Sequence, residues 1–395
     1  MRIGISTLMI QAGKTGVAQY VLALLRGLLG QRAVHDFTLF VLEGDLPLFD
    51  FARNSATLVP VAERYRPAVR NIIWHQLQLP DLIHKHHLEV LHVPSYRRLL
   101  GRRPCPLVAT IHDLAPFRVP NKYDWKRMFY GRVIVRRLAR RQDQIIAVSR
   151  NTARDISLFF GLPEHRVKVI HNGIDHSRFC PACVEPSRAW AARRYGLEGS
   201  YFLYVARLEH PGKNHVRLIQ AFDQFKTGTH SDWQLVFGGS DWHGAEAIHT
   251  AIEKSPNRRH IRPLGFVPDG SLADLYRSAD AFVYPSLYEG FGLPPLEAMA
   301  CGCPVLSSNR GSLEEVIGQA ALIVDPEDVS QMAEQLGRMA ASDDTRNRLR
   351  VAGIAQAARF DWNRTAAETL RVYEQAAART TVSDFVRGCE TPVGY

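Results

Sequence analysis

Residues 285–302 read PSLYEGFGLPPLEAMACG and follow the apolar run Ala281–Tyr284. A buried strand that breaks at Gly290 and Gly292 and then meets Pro294 and Pro295 must turn and begin a helix, because a helix's first turn tolerates proline's missing N–H. Such a helix start points amide donors and a positive dipole end toward the carboxyl edge of the strand, a setting suited to a diphosphate. Glu289 lies in the loop, and Glu297, eight positions later, lies about one turn inside the helix, so both can face one ligand. Carboxylates repel phosphate, so these two are expected to accept hydrogen bonds from hydroxyls beside it, such as those of a ribose and a sugar.

Working outward, short Val- and Ile-rich runs alternate with longer amphipathic stretches, the pattern of parallel sheets wrapped by helices. Strands are expected at 2–7, 37–42, 90–94, 107–112, 144–149 and 167–171, then at 201–206, 234–237, 261–266, 281–284, 304–307 and 321–324. Helices fit between them, notably at 16–29 and 125–141, and a last one at 362–378. The fold class is therefore α/β, with two parallel-sheet units in tandem. Their expected bounds are 1–182 for the first domain, 183–199 for a linker carrying Pro186 and Gly196, 200–378 for the second domain and 379–395 for a tail. Ligands of open parallel sheets sit beyond the carboxyl ends of the strands, so the chemistry is expected in a cleft where the two sheets face each other.

Composition narrows the function classes. The 395 residues are 46% hydrophobic and 22% charged, a soluble globular balance, and no run reaches the ~18 apolar residues of a membrane-spanning helix. The first residues read as a strand and not as a secretory signal, so a cytoplasmic protein is expected. Six cysteines do not make a disulfide scaffold, and Cys180 with Cys183 would supply only two ligands where a structural zinc takes four. Residues 1–180 carry 27 Lys/Arg against 13 Asp/Glu, whereas residues 181–395 carry 22 against 26. The basic half suits an anionic membrane surface or a phosphate-bearing substrate; no recognition module for nucleic acid is legible. The stretch 125–141, with Lys126, Arg127, Arg132, Arg136, Arg137, Arg140 and Arg141 among apolar residues, and the basic and aromatic residues Arg64, Tyr65, Arg66, Arg70 and Trp74, fit either contact with the inner face of a membrane or an ordinary helix with solvated arginines.

Other motifs fail or weaken. Gly13-Lys14-Thr15 is not a P-loop, because the leading glycine would fall on Leu8, and Gly13 with Gly16 lacks the opening Gly-x-Gly of a dinucleotide fingerprint. What remains there is a glycine turn whose amides can meet an anion. His84, Lys85, His86 and His87 are contiguous and point in different directions on a helix, which does not suit a metal. No Asp-x-Asp occurs, so no metal is expected on a diphosphate. His112, at the end of a strand and followed by Asp113, is a candidate ligand-facing group. Arg207 and Lys213 are cations after the first strand of the second half, where fixed positive charge would suit a group that gains negative charge in a reaction.

Glu289 and Glu297 resemble the Glu-x7-Glu signature of the retaining glycosyltransferases of family GT4. Arg207 and Lys213 look like that family's Arg/Lys pair, and Gly16, His112, Ser149, Asn172 through Asp175 and Gly265 through Val267 extend the similarity over nearly the whole chain. The resemblance implies a GT-B fold of two Rossmann-like domains. It implies His112 near the reacting carbon, Arg207 and Lys213 on the diphosphate, Glu297 on the ribose and Val267 near the base, with Glu289 and the Phe291, Gly292 and Leu293 backbone on the sugar and Gly16 in the first domain. The expected function is metal-independent transfer of a hexose with retention, to a hydroxyl of a glycan or a polyprenyl-diphosphate-linked saccharide. GDP-mannose is the first choice of donor and UDP-glucose the second, with no cofactor. The alternatives are an epimerase or phosphorylase of the same fold, or a non-catalytic nucleotide-sugar-binding partner.

Overall fold

In a computed structural model of the chain, which describes residues 1–13, 15–31, 35–119, 129–182 and 184–388, the apolar runs pair as two sheets in which every ladder is parallel. The first sheet consists of β1 (Arg2–Ser6), β2 (Asp36–Leu42), β3 (Ala56–Val61), β4 (Val90–Val93), β5 (Leu107–Ile111), β6 (Gln144–Ala147) and β7 (Val167–Val169), in the order β3-β2-β1-β4-β5-β6-β7. The second consists of β8 (Tyr201–Val205), β9 (Gln234–Gly238), β10 (Ile261–Pro263), β11 (Ala281–Tyr284), β12 (Val305–Ser308) and β13 (Ala321–Val324), in the order β10-β9-β8-β11-β12-β13. The central strands are buried along their whole length, as in parallel sheets covered on both faces; this is why they read as unbroken apolar runs. Both orders reverse direction once, between β1 and β4 and between β8 and β11, and the carboxyl ends of the strands at such a reversal are where doubly wound sheets take ligands.

β3 was not among the expected strands. Pro60 lowers its strand signal, but β3 pairs only with β2, and an edge strand tolerates proline because one side of its backbone has no partner to bond. The helix Gly16–Leu29 forms as expected, with the Thr15 hydroxyl accepting from the Ala18 amide at 3.2 Å and an inward stripe that includes Tyr20, Val21, Leu24, Leu25 and Leu28.

The chain divides differently from the expected 1–182, 183–199, 200–378 and 379–395. One compact unit holds Met1–Phe117, resumes after a short segment and runs up to Gly173, and takes back the chain from Trp362; the other holds Ile174–Asp361 together with Arg118 and Val119. The expected linker contains the helix Val184–Tyr195, with Pro186 in its first turn where proline is compatible with helix. The last helix, Trp362–Gly388, belongs to the first unit and extends ten residues beyond the expected 378. It seats there through side chains no periodicity reveals: Trp362 meets the Tyr20 ring edge-on at 5.8 Å, and Tyr373 shares a 2.7 Å hydrogen bond with His92 Nδ1. A Cβ on Gly27 would stand 3.0 Å from both Ala366 Cβ and Trp362 O, so the helix is packed directly on Gly16–Leu29.

Of the expected helix 125–141, Trp125, Lys126 and Arg127 lie outside the described residues, as do Lys14, Cys183 and the end of the tail, 389–395. Its described part winds as a π-turn, Tyr130–Val135, and then as α-helix, Arg136–Ala139, burying Gly131, Val135 and Ala139 and exposing Arg132, Arg136 and Arg137.

Candidate functional site

The second unit gathers its candidate residues at its reversal point. β8 ends at Val205 and leads into Arg207 and Lys213; β11 ends at Tyr284 and leads into Glu289. The two loops are laced together by backbone and side chain: Leu287 N donates to Gly212 O at 3.0 Å, and Asn214 Nδ2 donates to Pro285 O at 3.1 Å and Pro326 O at 2.6 Å.

This lacing brings Lys213 and Glu289 into an ion pair. Lys213 Nζ lies 2.6 Å from Glu289 Oε1, and both side chains are more than four-fifths buried. The same oxygen accepts from Tyr284 Oη at 3.1 Å and Ser286 Oγ at 2.6 Å, while Nζ lies 3.3 Å from Tyr284 Oη. Burial works against the Lys213 ammonium, but the Glu289 carboxylate and Tyr204 oppose it, and the pKa is raised; the cation stays charged. The Tyr204 hydroxyl donates to Lys213 O at 2.6 Å and fixes the backbone from the strand side. Tyr284 and Ser286 were not singled out in the sequence, where they read as strand and turn residues. Among the expected site residues, Lys213 and Glu289 are therefore in direct contact.

Arg207 is held differently. Beyond the paired ends of β8 and β9 the backbones stay linked, with Leu208 N donating to Ser240 O and Trp242 N to Leu208 O, each at 3.0 Å. This places the Trp242 ring 4.5 Å from the Arg207 guanidinium, with Glu209 Oε2 3.5 Å away on another side. A cation stacked on an indole gains about 0.5–2 kcal/mol and loses rotational freedom. Trp242→Ala is accordingly expected to lower turnover about 3- to 30-fold, and Trp242→Phe to restore most of it; steady-state rates of the two variants check this, and equal rates would refute the support role.

The helix Leu293–Ala300 starts as expected, capped by Gly292 in the left-handed region at φ 102°, where a Cβ would come 2.7 Å from Leu313 Cδ2. Its prolines change what that start can offer. A helix leaves four amides open, but Pro294 and Pro295 occupy the second and third helical positions and have none, so only the amides of Gly292 and Leu293 remain. The Phe291 side chain is buried against Phe360, with ring centroids 5.8 Å apart.

Glu297 lies on this helix and accepts from Tyr276 Oη at 2.9 Å. Burial pushes its carboxyl pKa up to about 7, against the opposing pull of the Tyr276 hydrogen bond and the Arg178 charge. Between about 4.5, its ordinary value, and about 7, the folded protein holds a proton that the unfolded chain releases, so stability falls as pH rises through that window. Glu297→Gln is therefore expected to raise the melting temperature at pH above 7 and to leave it nearly unchanged below about 4.5. A melting series across pH checks this; a gain confined to low pH would contradict it.

Val267, expected in the loop near the base, is packed inward. It is buried, its Cγ2 filling the space above Gly238, while its neighbour Phe266 is 61% exposed. The loop is tied to the Arg207 side of the site by Gly239 N donating to Gly265 O at 2.8 Å. Alternation of side-chain direction along an extended segment could have singled out Phe266 beforehand.

Gly16 and His112 belong to the first unit, at the carboxyl ends of β1 and β5. The Tyr20 ring, one turn after Gly16, meets the His112 ring edge-on at 4.6 Å. His112 Nε2 donates to Pro94 O at 3.2 Å, which leaves Nδ1 as the acceptor nitrogen of a neutral ring. Burial lowers its pKa to about 4, against the pull of Asp113 and the Pro94 carbonyl. Gly16 has open space where a Cβ would project.

Residues 14–178 match the family model described as Glycosyltransferase Family 4, and residues 194–356 the one described as Glycosyl transferases group 1. The chain is 29% identical to the O-antigen chain mannosyltransferase B of Escherichia coli, across 95% of this chain and 100% of that protein. It is 31% identical to the D-inositol 3-phosphate glycosyltransferase of Xylanimonas cellulosilytica, across 69% of this chain and 67% of that protein. In fold it matches Anabaena HepE, solved in complex with UDP and glucose, with a TM-score of 0.75 at 17% identity over 95% of this chain and 99% of that chain. Two doubly wound units of this kind define a glycosyltransferase of the GT-B class. Within that class, the chain belongs to the group 1 glycosyltransferases, family GT4.

Proposed function

We propose that this glycosyltransferase moves a hexose, mannose in first place, from a nucleotide diphosphate sugar to a hydroxyl of a glycan or lipid-linked saccharide, with retention and without a metal ion. GDP-mannose is the first donor and UDP-glucose the second. The observation that carries this reading is the Lys213–Glu289 pair at the reversal between β8 and β11. A diphosphate beside it meets a cation already charged and fixed, and a sugar beside it meets a carboxylate whose own charge is compensated. Arg207 and the Gly292 and Leu293 amides add donors for phosphate oxygens, and Glu297 takes the ribose hydroxyls. Phe266 offers its ring to the base, while Val267 supports the loop from within. In the first unit, Gly16 and His112 are the ligand-facing groups.

As the bond from the sugar's anomeric carbon to the leaving phosphate breaks, the fixed cations take up the developing charge. The leaving phosphate oxygen accepts the acceptor hydroxyl's proton on the face that the acceptor oxygen attacks, so the anomeric configuration is kept and no strong protein base is needed. The similarity to the E. coli mannosyltransferase along its whole length supports mannose and a surface-polysaccharide acceptor. The excess of Lys and Arg in residues 1–180 supports contact with an anionic membrane surface, as a peripheral protein of its inner face.

Incubating the protein with GDP-mannose or UDP-glucose, with and without a polyprenyl-diphosphate-linked saccharide and excess chelator, tests the reading. Acceptor-dependent release of GDP, undiminished by chelator, is expected. Loss of activity in chelator would remove metal independence, and conversion of the donor to an epimer without acceptor would replace the transferase reading.

A further inference from the structure

The helix Ala68–Leu77 is built with its faces reversed relative to a soluble helix. Its inward face buries Asn71, Trp74 and His75, whereas Val69, Ile73 and Leu77 are 69%, 47% and 68% exposed. These three stand at i, i+4 and i+8, one stripe along one side of the helix. Rotation cannot hide the stripe, because the inward polar groups are committed. Asn71 Nδ2 donates to Leu8 O and Tyr65 O, both at 3.2 Å, His75 Nδ1 lies 2.7 Å from Asn71 O, and His75 Nε2 lies 2.8 Å from Ser6 Oγ. Turning the helix would break the three of these hydrogen bonds that reach partners outside it, Leu8 O, Tyr65 O and Ser6 Oγ, each costly to leave unmade.

The surroundings of the stripe are basic. Arg70 lies exposed on the same helix, and Arg64 stacks on the Tyr65 ring at 5.1 Å, beside Gln78 at the helix end, which donates to the Tyr65 hydroxyl. On the other side, Gln76 bonds Leu99 O at 2.8 Å and Gly101 N at 3.0 Å, and Gly101 O in turn accepts from Arg141 at 3.1 Å. Arg102 follows in the same loop. Nearby acids are Glu63 and Asp45, both engaged by Arg66, Glu43, which accepts from the Glu63 amide at 3.3 Å, and Asp81, 3.9 Å from Arg102.

An aliphatic stripe rimmed by arginines is the chemistry of an interface between acyl chains and anionic headgroups. We propose that the helix Ala68–Leu77 is a membrane-surface anchor: Val69, Ile73 and Leu77 enter the upper acyl region of a bilayer while Arg64, Arg70, Arg102 and Arg141 meet the phosphates of anionic lipids. This rests on the reading that the first unit contacts an anionic surface, and adds an apolar component to what charge alone would do.

Co-sedimentation with vesicles of equal parts phosphatidylglycerol and phosphatidylcholine, and with pure phosphatidylcholine vesicles, tests it. The protein is expected to bind the anionic vesicles. The combined variant Val69→Ser, Ile73→Ser, Leu77→Ser should bind them on the order of 10²-fold more weakly, as the loss of three partly inserted aliphatic side chains requires. Its melting temperature and its transfer to a soluble acceptor should match the parent's, because the three side chains support nothing inside the fold. If the variant binds within about threefold of the parent and salt strips both, the anchor is refuted while the electrostatic contact stands. If the parent binds neither kind of vesicle at low salt, both readings fall. If the parent instead self-associates and the variant does not, the stripe belongs to a second copy of the chain and the anchor is likewise refuted.

Discussion

Lys213→Ala is expected to lower turnover by roughly 10²- to 10³-fold, the scale on which removing one preorganised donor to a developing charge acts. Two effects combine. The leaving diphosphate loses a cation held in place by Tyr204, Tyr284 and Glu289. Glu289, more than four-fifths buried, loses the ammonium from Oε1 and retains there the neutral donors Tyr284 and Ser286, so more of its negative charge bears on a diphosphate bound at the proposed site. The second effect should raise the donor KM as well as lower kcat. It can be isolated: in a Glu289→Gln background the same lysine substitution should cost distinctly less, since no carboxylate then loses its ammonium. Lys213→Arg should not rescue fully, because a planar guanidinium cannot occupy a point-like ammonium site between a carboxylate and a tyrosine hydroxyl. Near-normal turnover of Lys213→Ala with a saturating donor would remove this lysine from the chemistry.

The other large effect is expected at a residue with no functional side chain at all. Gly311 adopts φ 66°, and a Cβ there would stand 2.4 Å from Glu289 O and 2.8 Å from Glu289 N, both backbone atoms that cannot swing aside. Next to it, Ser312 anchors the same loop: its amide donates to Glu289 O at 3.1 Å and its hydroxyl lies 2.8 Å from Phe291 O. Gly311→Ala should therefore cost about 2–4 kcal/mol, combining left-handed strain with a backbone clash, and lower the second unit's melting midpoint by roughly 5–15 °C. It should also displace Glu289, and a shift of ~1 Å at a reacting centre costs on the order of 10² in rate. Melting curves and single-turnover rates check both halves. An unchanged midpoint would show that the loop yields without strain, and the argument for Gly311 as the support of Glu289 would then fail.

What the sequence made legible is what local chemistry encodes. Apart from the edge strand β3, the strands from Arg2 to Val324 are legible to within a few residues because a doubly covered parallel strand is apolar throughout, and the turn from Tyr284 into Leu293 is written in glycines and prolines. The order of the second sheet then accounts for Arg207, Lys213 and Glu289 converging from loops about 80 residues apart, because β8 and β11 flank its reversal. The less legible features depend on contacts distant in sequence. Trp242 reaches Arg207 only because the β8 and β9 backbones stay linked past their strands, and Gly311 matters only through the atoms of Glu289. The loss of two amides at the Leu293 helix start was visible in Pro294 and Pro295, but its consequence appears only once they are counted against the four open donors.

The return of the last helix, Trp362–Gly388, to the first unit makes the second unit an insertion in the middle of the first. Dissecting the molecule is consequently asymmetric: nearly all of the second unit lies in the continuous stretch from Ile174 to Asp361, whereas stopping the chain anywhere near 180 would strip the first unit of a wall that contacts Tyr20, Gly27 and His92. A self-sufficient version of the first unit calls for splicing Gly173 to Trp362, the two residues that flank the stretch from Ile174 to Asp361.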